Sequence, residues 1–306
     1  MPSNHSSTVS SSALPVVSLL LGATLWGIFW YPMRLLEQNG IPGLWSSLIM
    51  YMAAVVISLP WLWRQRSALI KRPGLLLALG LSAGWCNVAF ILAIIDGNVM
   101  RVLLLFYLAP LWAALLGRFM LGERLSPRAW ATMGLAMCGA LIMLWQLPSR
   151  SLNSETFALE SSDWLAISSG FMFALSNVLV RKAWNITIAV KTIVVWWGGL
   201  LLAGLWIVLS ASPLPELRPP IVAAAIALGG FGIMIMTVAV QYGVTHMPVH
   251  RSAVILLFEL VAGAVSSQLL SDEVIQVNEW LGGVLIITAA YFSALPEESK
   301  YKFKST

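Results

Sequence analysis

Glu259 lies near the middle of an apolar run, on a stripe of small and polar residues, Ser252, Leu256, Glu259, Gly263 and Ser266, whose steps of three and four keep one helical face. If that run crosses a membrane, a central charge costs roughly 2.5 to 3.5 kcal/mol on insertion scales, so the carboxylate is a candidate site residue by default. Two chemistries fit it. Glu259 either binds a proton or a substrate amine, or it is a carboxyl held by helix–helix hydrogen bonds.

Other residues fit the recognition of a small solute. Gly230, Met234, Thr237, Gln241 and Thr245 share one face, and the residues 150 places earlier read Gly80, Gly84, Asn87 and Ile91. Asn87 and Thr237 either hydrogen-bond a substrate or join helices, a bond typically worth about 0.6 kcal/mol in a bilayer. Asn177 joins them as a polar residue of an apolar run. Trp26 and Trp30 are four apart, and Tyr107 and Trp112 flank Pro110, a hinge candidate because proline removes a backbone donor. Such rings suit flat apolar or cationic solutes, although tryptophans also populate interfacial belts. Arg101 either attracts a carboxylate or snorkels to the interface.

Competing chemistry has little support. Gly80-Leu81-Ser82-Ala83-Gly84 has the GxSxG form of a serine hydrolase, the distant alternative. The three histidines are His5 in the N-terminal tail and His246 and His250 around a loop, far from Ser82. The same five residues read as a small-residue packing face. No GxxxxGK[ST] stretch is present, so energy comes from a solute gradient or the proton motive force. Cys86 and Cys138 sit in apolar stretches without a CxxC or Cys/His cluster. No disulfide, metal or cofactor is called for.

The elements that position these residues follow from composition. The 306 residues are 59% hydrophobic and 10% charged, too apolar for a water-soluble fold. Runs of the roughly 20 residues needed to cross a bilayer alternate with short polar breaks. Hydropathy predicts ten spans near 14–36, 42–63, 73–95, 99–121, 127–147, 163–182, 190–211, 220–243, 250–270 and 277–295. Ser126-Pro127 supplies a cap and a first-turn proline, and Gly122 suits the end of the preceding helix. The net charge of +5 forms no continuous basic stripe, which argues against nucleic acid. With the N-terminus inside, fourteen Lys and Arg fall on the inner side and four (Arg34, Arg101, Arg150, Arg218) on the outer, as expected for both termini in the cytoplasm. The Ser-rich N-terminal stretch lacks the basic region of a signal peptide.

A shift of 150 residues pairs Gly80 with Gly230, Ala89 with Ala239, Val99 with Val249, Arg101 with Arg251, Glu123 with Glu273 and Trp130 with Trp280. An odd number of helices per half inserts the second copy upside down. The charges agree: Arg118, Arg124 and Arg128 align with Gln268, Val274 and Asn278. Inverted repeats of this kind build carriers that expose a central site alternately to the two sides. The expected fold is all-α and integral to the membrane, ten transmembrane helices as two inverted five-helix repeats. Its parts are a disordered cytoplasmic tail (1–13), a first repeat (14–147), a periplasmic linker (148–162), a second repeat (163–295) and a basic cytoplasmic tail (296–306).

The run Leu104-Leu105-Phe106-Tyr107-Leu108-Ala109-Pro110-Leu111-Trp112, then Leu121-Gly122-Glu123-Arg124-Leu125-Ser126, resembles EamA-type members of the drug/metabolite transporter superfamily. The second copy reads Leu257-Phe258-Glu259-Leu260, then Ser271-Asp272-Glu273, with Leu260 where the family has proline and Asp272 where it has glycine. The resemblance implies an inner-membrane exporter of small metabolites, closest to the aromatic amino-acid branch. The partners expected are a small-molecule substrate and the lipid bilayer, with proton coupling open and a monomer or homodimer as the assembly. The alternative substrates are cationic drugs or nucleotide precursors. A membrane scaffold would tolerate Ala at Glu259 or Asn87 without loss of function. Glu123 and Glu273 read as organisers of a helix junction, outside the site.

Overall fold

The structure, a computed structural model, describes residues 10–97, 99–144, 159–271 and 275–295. Residues 1–9, the 296–306 tail, most of the 148–162 linker and the Asp272-Glu273 pair lie outside them. The described residues contain helices and no strand. Among the described residues nine helices are long and apolar enough to cross a bilayer: α1 (Ala13–Gln38), α2 (Gly43–Arg64), α3 (Pro73–Asp96), α4 (Arg101–Leu121), α6 (Ser161–Lys182), α7 (Ile188–Leu209), α8 (Pro219–His246), α9 (Val249–Leu270) and α10 (Val277–Ala294). The remaining expected span, α5 (Pro127–Met143), runs 17 residues, just short of the others.

Local chemistry fixes the helix ends. Gly122 closes α4 with φ +70°, a left-handed turn that glycine adopts without strain. The Ser126 hydroxyl accepts from the Ala129 N–H at 3.0 Å, and Pro127 occupies the first turn of α5. At the positions 150 residues on, α10 begins with the reciprocal Gln276/Glu279 capping box. The outer surface is apolar as well as the core: Phe119 is 78% exposed and Leu269 77%. Exposed Trp61, Trp63, Trp130 and Trp184 lie near one end of the bundle, and Trp164 and Trp280 near the other. Two interfacial belts account for these tryptophans.

Lipid chains are as apolar as leucine, so burial of leucine gives little drive for helix pairing; close packing at small residues supplies it. Every helix of the first half meets the second half at such a point. A Cβ at Gly27 of α1 would stand 2.5 Å from the Glu259 carbonyl oxygen of α9. One at Gly170 of α6 would stand 2.5 Å from the Phe106 carbonyl oxygen of α4, and one at Gly139 of α5 would stand 2.8 Å from that of Gly282 in α10. Gly80 and Gly84 of α3 press on Gly198 of α7, and Gly229 of α8 on the Met50 backbone of α2. Exchanging the halves turns α1–α9 into α6–α4 and α3–α7 into α8–α2, and returns α5–α10 to itself. The contacts therefore obey the two-fold relation of the repeat, and the GxSxG run is a packing face. The Ser82 hydroxyl donates to the Leu79 carbonyl of its own helix at 3.0 Å.

Among the described residues three of the spanning helices are interrupted: α1 at Phe29, and α4 and α9 near their middle. In α4 the helix stops at Phe106 and resumes at Ala109; in α9 it stops at Leu256 and resumes at Phe258. These two mid-helix breaks are 150 residues apart, Tyr107 against Leu257. Pro110 lies at the first and, having no N–H, leaves the Phe106 carbonyl without its helical donor. The second occurs with Leu260 at the corresponding place, so proline is not what bends α9. There the Leu260 N–H bonds Leu257 O at 3.0 Å, three residues back, which tightens the turn.

The glycine contacts predict a sharp contrast. Gly198→Val places branched carbons against the Gly80 carbonyl and should abolish a monodisperse, cooperatively melting protein in detergent. Gly134→Ala, where a Cβ meets nothing within 4 Å, should melt within about 2 °C of the parent.

Candidate functional site

The two breaks face each other across a narrow cavity with about 350 Å³ of atom-free space, which as it stands admits water rather than an amino acid. From α4 it is lined by Phe106, Tyr107, Ala109, Pro110 and Ala113; from α6 by Phe173, Ala174 and Asn177; and from α9 by Ala253, Leu256, Leu257 and Glu259. The Tyr107 hydroxyl donates to Glu259 Oε1 at 3.3 Å, bridging the halves. Phe106 stands 5.2 Å from the Tyr107 ring and 5.7 Å from Phe173, forming an aromatic wall beside the carboxyl.

The carboxyl's position follows from its helix. Gly27 lets α1 press onto the Glu259 backbone, and farther along the same stripe Ser266 accepts from Trp30 Nε1 at 2.8 Å and donates to Gly263 O at 2.8 Å. That face of α9 therefore turns toward protein, and Glu259 projects beside it into the cavity. Among the described residues no Lys, Arg or His pairs with Glu259. A carboxyl in such surroundings either holds a proton or takes a cationic partner, because an isolated charge there is costly.

Tyr107, Pro110, Asn177 and Glu259 are thus brought together. The other sequence candidates lie elsewhere. Trp26 packs with Met50, Tyr51 and Trp196. Trp30 anchors α1 to α9 through Ser266, with the Arg34 guanidinium 5.0 Å over its ring. Trp112 turns edge-on to Phe171 at 5.6 Å. Thr237 accepts from Trp196 Nε1 at 3.2 Å and donates to Ile233 O at 2.6 Å, so its hydroxyl serves helix packing. Asn87 Oδ1 and Gln241 Oε1 are buried, and among the described residues neither accepts a hydrogen bond. Arg101 pairs with Asp163 at 2.6 Å, so a carboxylate of the protein itself meets it.

Sequence reasoning missed Phe106 and Phe173 in the cavity wall. It also left out a charged group next to it. Glu123, in the loop after α4, accepts from the Val249 N–H at 3.0 Å and lies 3.8 Å from Arg181 and 3.5 Å from His250. Lys191, one of the fourteen inner-side Lys and Arg, is fully buried and donates to Thr245 Oγ1 at 2.5 Å.

The model of the EamA-like transporter family matches twice, over residues 13–145 and 160–295. Protein RarD of Salmonella typhi is 30% identical over 167 residues, 54% of this chain and 49% of RarD, so the chain spans about half the length of that relative. A probable amino-acid metabolite efflux pump of Escherichia coli K12 is 25% identical over 291 residues, covering 90% of this chain and 93% of the pump. A chain solved by crystallography, 18% identical, superposes with a TM-score of 0.69 over 94% of this chain and 97% of its own length, a likeness of fold.

Because α9 breaks without a proline, Pro110→Ala should keep the α4 break and the cavity. The variant should melt within about 4 °C of the parent, the shift that roughly 1 kcal/mol makes in a chain of this size. A larger loss of melting temperature would show that the α4 break depends on proline.

Proposed function

We propose, on the premise that the chain belongs to the EamA-like transporter family, that it exports small amphiphilic metabolites from the cytoplasm, amino acids with aromatic preference first among them. The observation that carries this reading is the cavity at the paired breaks, where one carboxyl, Glu259, and one amide, Asn177, stand beside the rings of Phe106, Tyr107 and Phe173. A substrate amine neutralises the carboxyl, and a flat side chain stacks on the rings. The resemblance over nearly the full length of the probable amino-acid metabolite efflux pump supports the same class.

The carrier operates by alternating access in the inner membrane with both termini cytoplasmic, as a monomer or homodimer. The narrow cavity is a closed stage of that cycle, and movement of the halves about their glycine contacts widens it. Glu259 exchanges a proton for the substrate amine, which couples export to the proton gradient. The carboxyl, bonded by Tyr107 and facing no Lys, Arg or His among the described residues, also favours a second reading, the export of amphiphilic cations other than amino acids.

Cells overexpressing the chain should grow at fluorinated phenylalanine concentrations that stop the growth of the control. Glu259→Gln should lose that tolerance and flatten the pH dependence of efflux. Unchanged tolerance to every aromatic analogue sinks the preferred substrate. Tolerance to ethidium alone selects the cation reading. A pH profile unchanged in Glu259→Gln removes the proton role, and full function in Glu259→Ala leaves a scaffold.

A further inference from the structure

We propose that Glu123 is the resident occupant of an anion site one helical turn beyond the cavity wall, and that an organic carboxylate on the substrate takes its place by exchange. The inference rests on the cavity assigned above as the transport site and adds to the substrate a second charged group, recognised apart from the amine.

The site is built from three groups on two helices of the second half, α6 and α9. The Val249 N–H, at the start of the eight-residue first segment of α9, donates to Glu123 Oε2 at 3.0 Å. Arg181, near the end of α6, stands 3.8 Å from Oε1, and His250 Nδ1 stands 3.5 Å from Oε2. A backbone N–H at a helix start, a guanidinium and an imidazole converging on one carboxylate make a standard anion site. Here the anion belongs to a loop of the other half, next to Gly122.

Basic groups outnumber the carboxylate. Lys191 is 0% exposed, and its partners are the Thr245 hydroxyl at 2.5 Å and the Val180 carbonyl at 3.3 Å, both neutral. Arg181 also donates to the Thr245 carbonyl, so the two cations meet on one residue of α8. Part of this positive charge complements the C-terminal end of α8. His250 supplies the independent observation: it is 6% exposed, and among the described residues neither ring nitrogen makes a hydrogen bond. A buried imidazole turned toward a carboxylate yet short of bonding it has capacity for a closer anion.

Position links the site to the cavity. Asn177 is one turn from Arg181 on α6, and Ala253 is one turn from His250 on α9; both line the cavity. A substrate whose amine reaches Glu259 can direct a carboxylate toward this site. Moving a carboxylate into the membrane requires a compensating cation. Exchange with Glu123 supplies one without changing the charge count, and it frees the loop that clasps the two halves.

The test uses the purified full chain in detergent, with thermal unfolding followed against sodium benzoate, benzylamine hydrochloride and sodium chloride at matched ionic strength. Benzoate should stabilise the parent at high concentration. Glu123→Gln, which keeps an oxygen for the Val249 N–H, should lower the half-saturating benzoate concentration by about tenfold and leave the benzylamine response unchanged. Arg181→Gln should abolish the benzoate response. An unchanged benzoate midpoint in Glu123→Gln, or equal gains for benzoate and benzylamine, overturns the proposal. If Glu123→Gln does not fold, Arg181→Gln decides alone: a benzoate response equal to the parent's refutes the site. Benzoate exchange without tolerance to aromatic analogues would refute only the preferred substrate, and tolerance without a benzoate response would refute only the anion site.

Discussion

The structure depends on backbone meeting backbone across the two halves. In lipid there is little to gain by hiding leucine from its surroundings, so helices associate where they approach closely enough for dispersion and weak polar contacts to accumulate. Gly27, Gly80, Gly139, Gly170, Gly198 and Gly229 sit at those approaches, and each helix of one half is joined there to a different helix of the other. The halves are therefore interleaved, and neither retains its own packing surface if the other is removed. That interleaving brings the two broken helices, α4 and α9, to the same depth and leaves the cavity between them.

Within this symmetric frame the polar chemistry is unsymmetric. Glu259 occupies the place that Ala109 holds in the first half, and Tyr107 occupies that of Leu257. One half contributes the acid and the other its hydroxyl partner, so the bond between them spans the interface. The charged cluster repeats the arrangement: Glu123 comes from the first half, and Arg181, His250 and Val249 from the second. Polar contacts of this kind cross the boundary between the halves and tie one to the other.

Legibility in the sequence tracked contrast with background. A charge inside an apolar run has few explanations, and Glu259 stood out for that reason. Glycines and charges recurring at a constant shift exposed the repeat because those types are costly or constrained where they occur. Phe106 and Phe173 carried no such contrast, since an aromatic residue in an aromatic-rich apolar stretch looks the same whether it faces lipid, protein or a cavity. Lys191 counts among the fourteen inner-side charges and His250 falls around a loop, and only the packing of α6, α7, α8 and α9 shows them buried. The α9 break had no proline to mark it, although the repeat placed Leu257 opposite Tyr107. Thr237 and Trp112 needed knowledge of their partners, Trp196 and Phe171, which lie far away along the chain.

The unequal breaks bear on reversibility. At Pro110 the ring has removed the donor that would restore a continuous helix, so α4 stays bent in any conformation. Leu260 retains its N–H, which bonds three residues back to Leu257 and needs only a change of register to bond four back to Leu256. Straightening is chemically open to α9 and closed to α4. Two identical inverted halves would give inward-open and outward-open forms of equal energy, related by the two-fold rotation. With Pro110 in one break and Leu260 in the other, the two bends are chemically inequivalent within the two-fold frame.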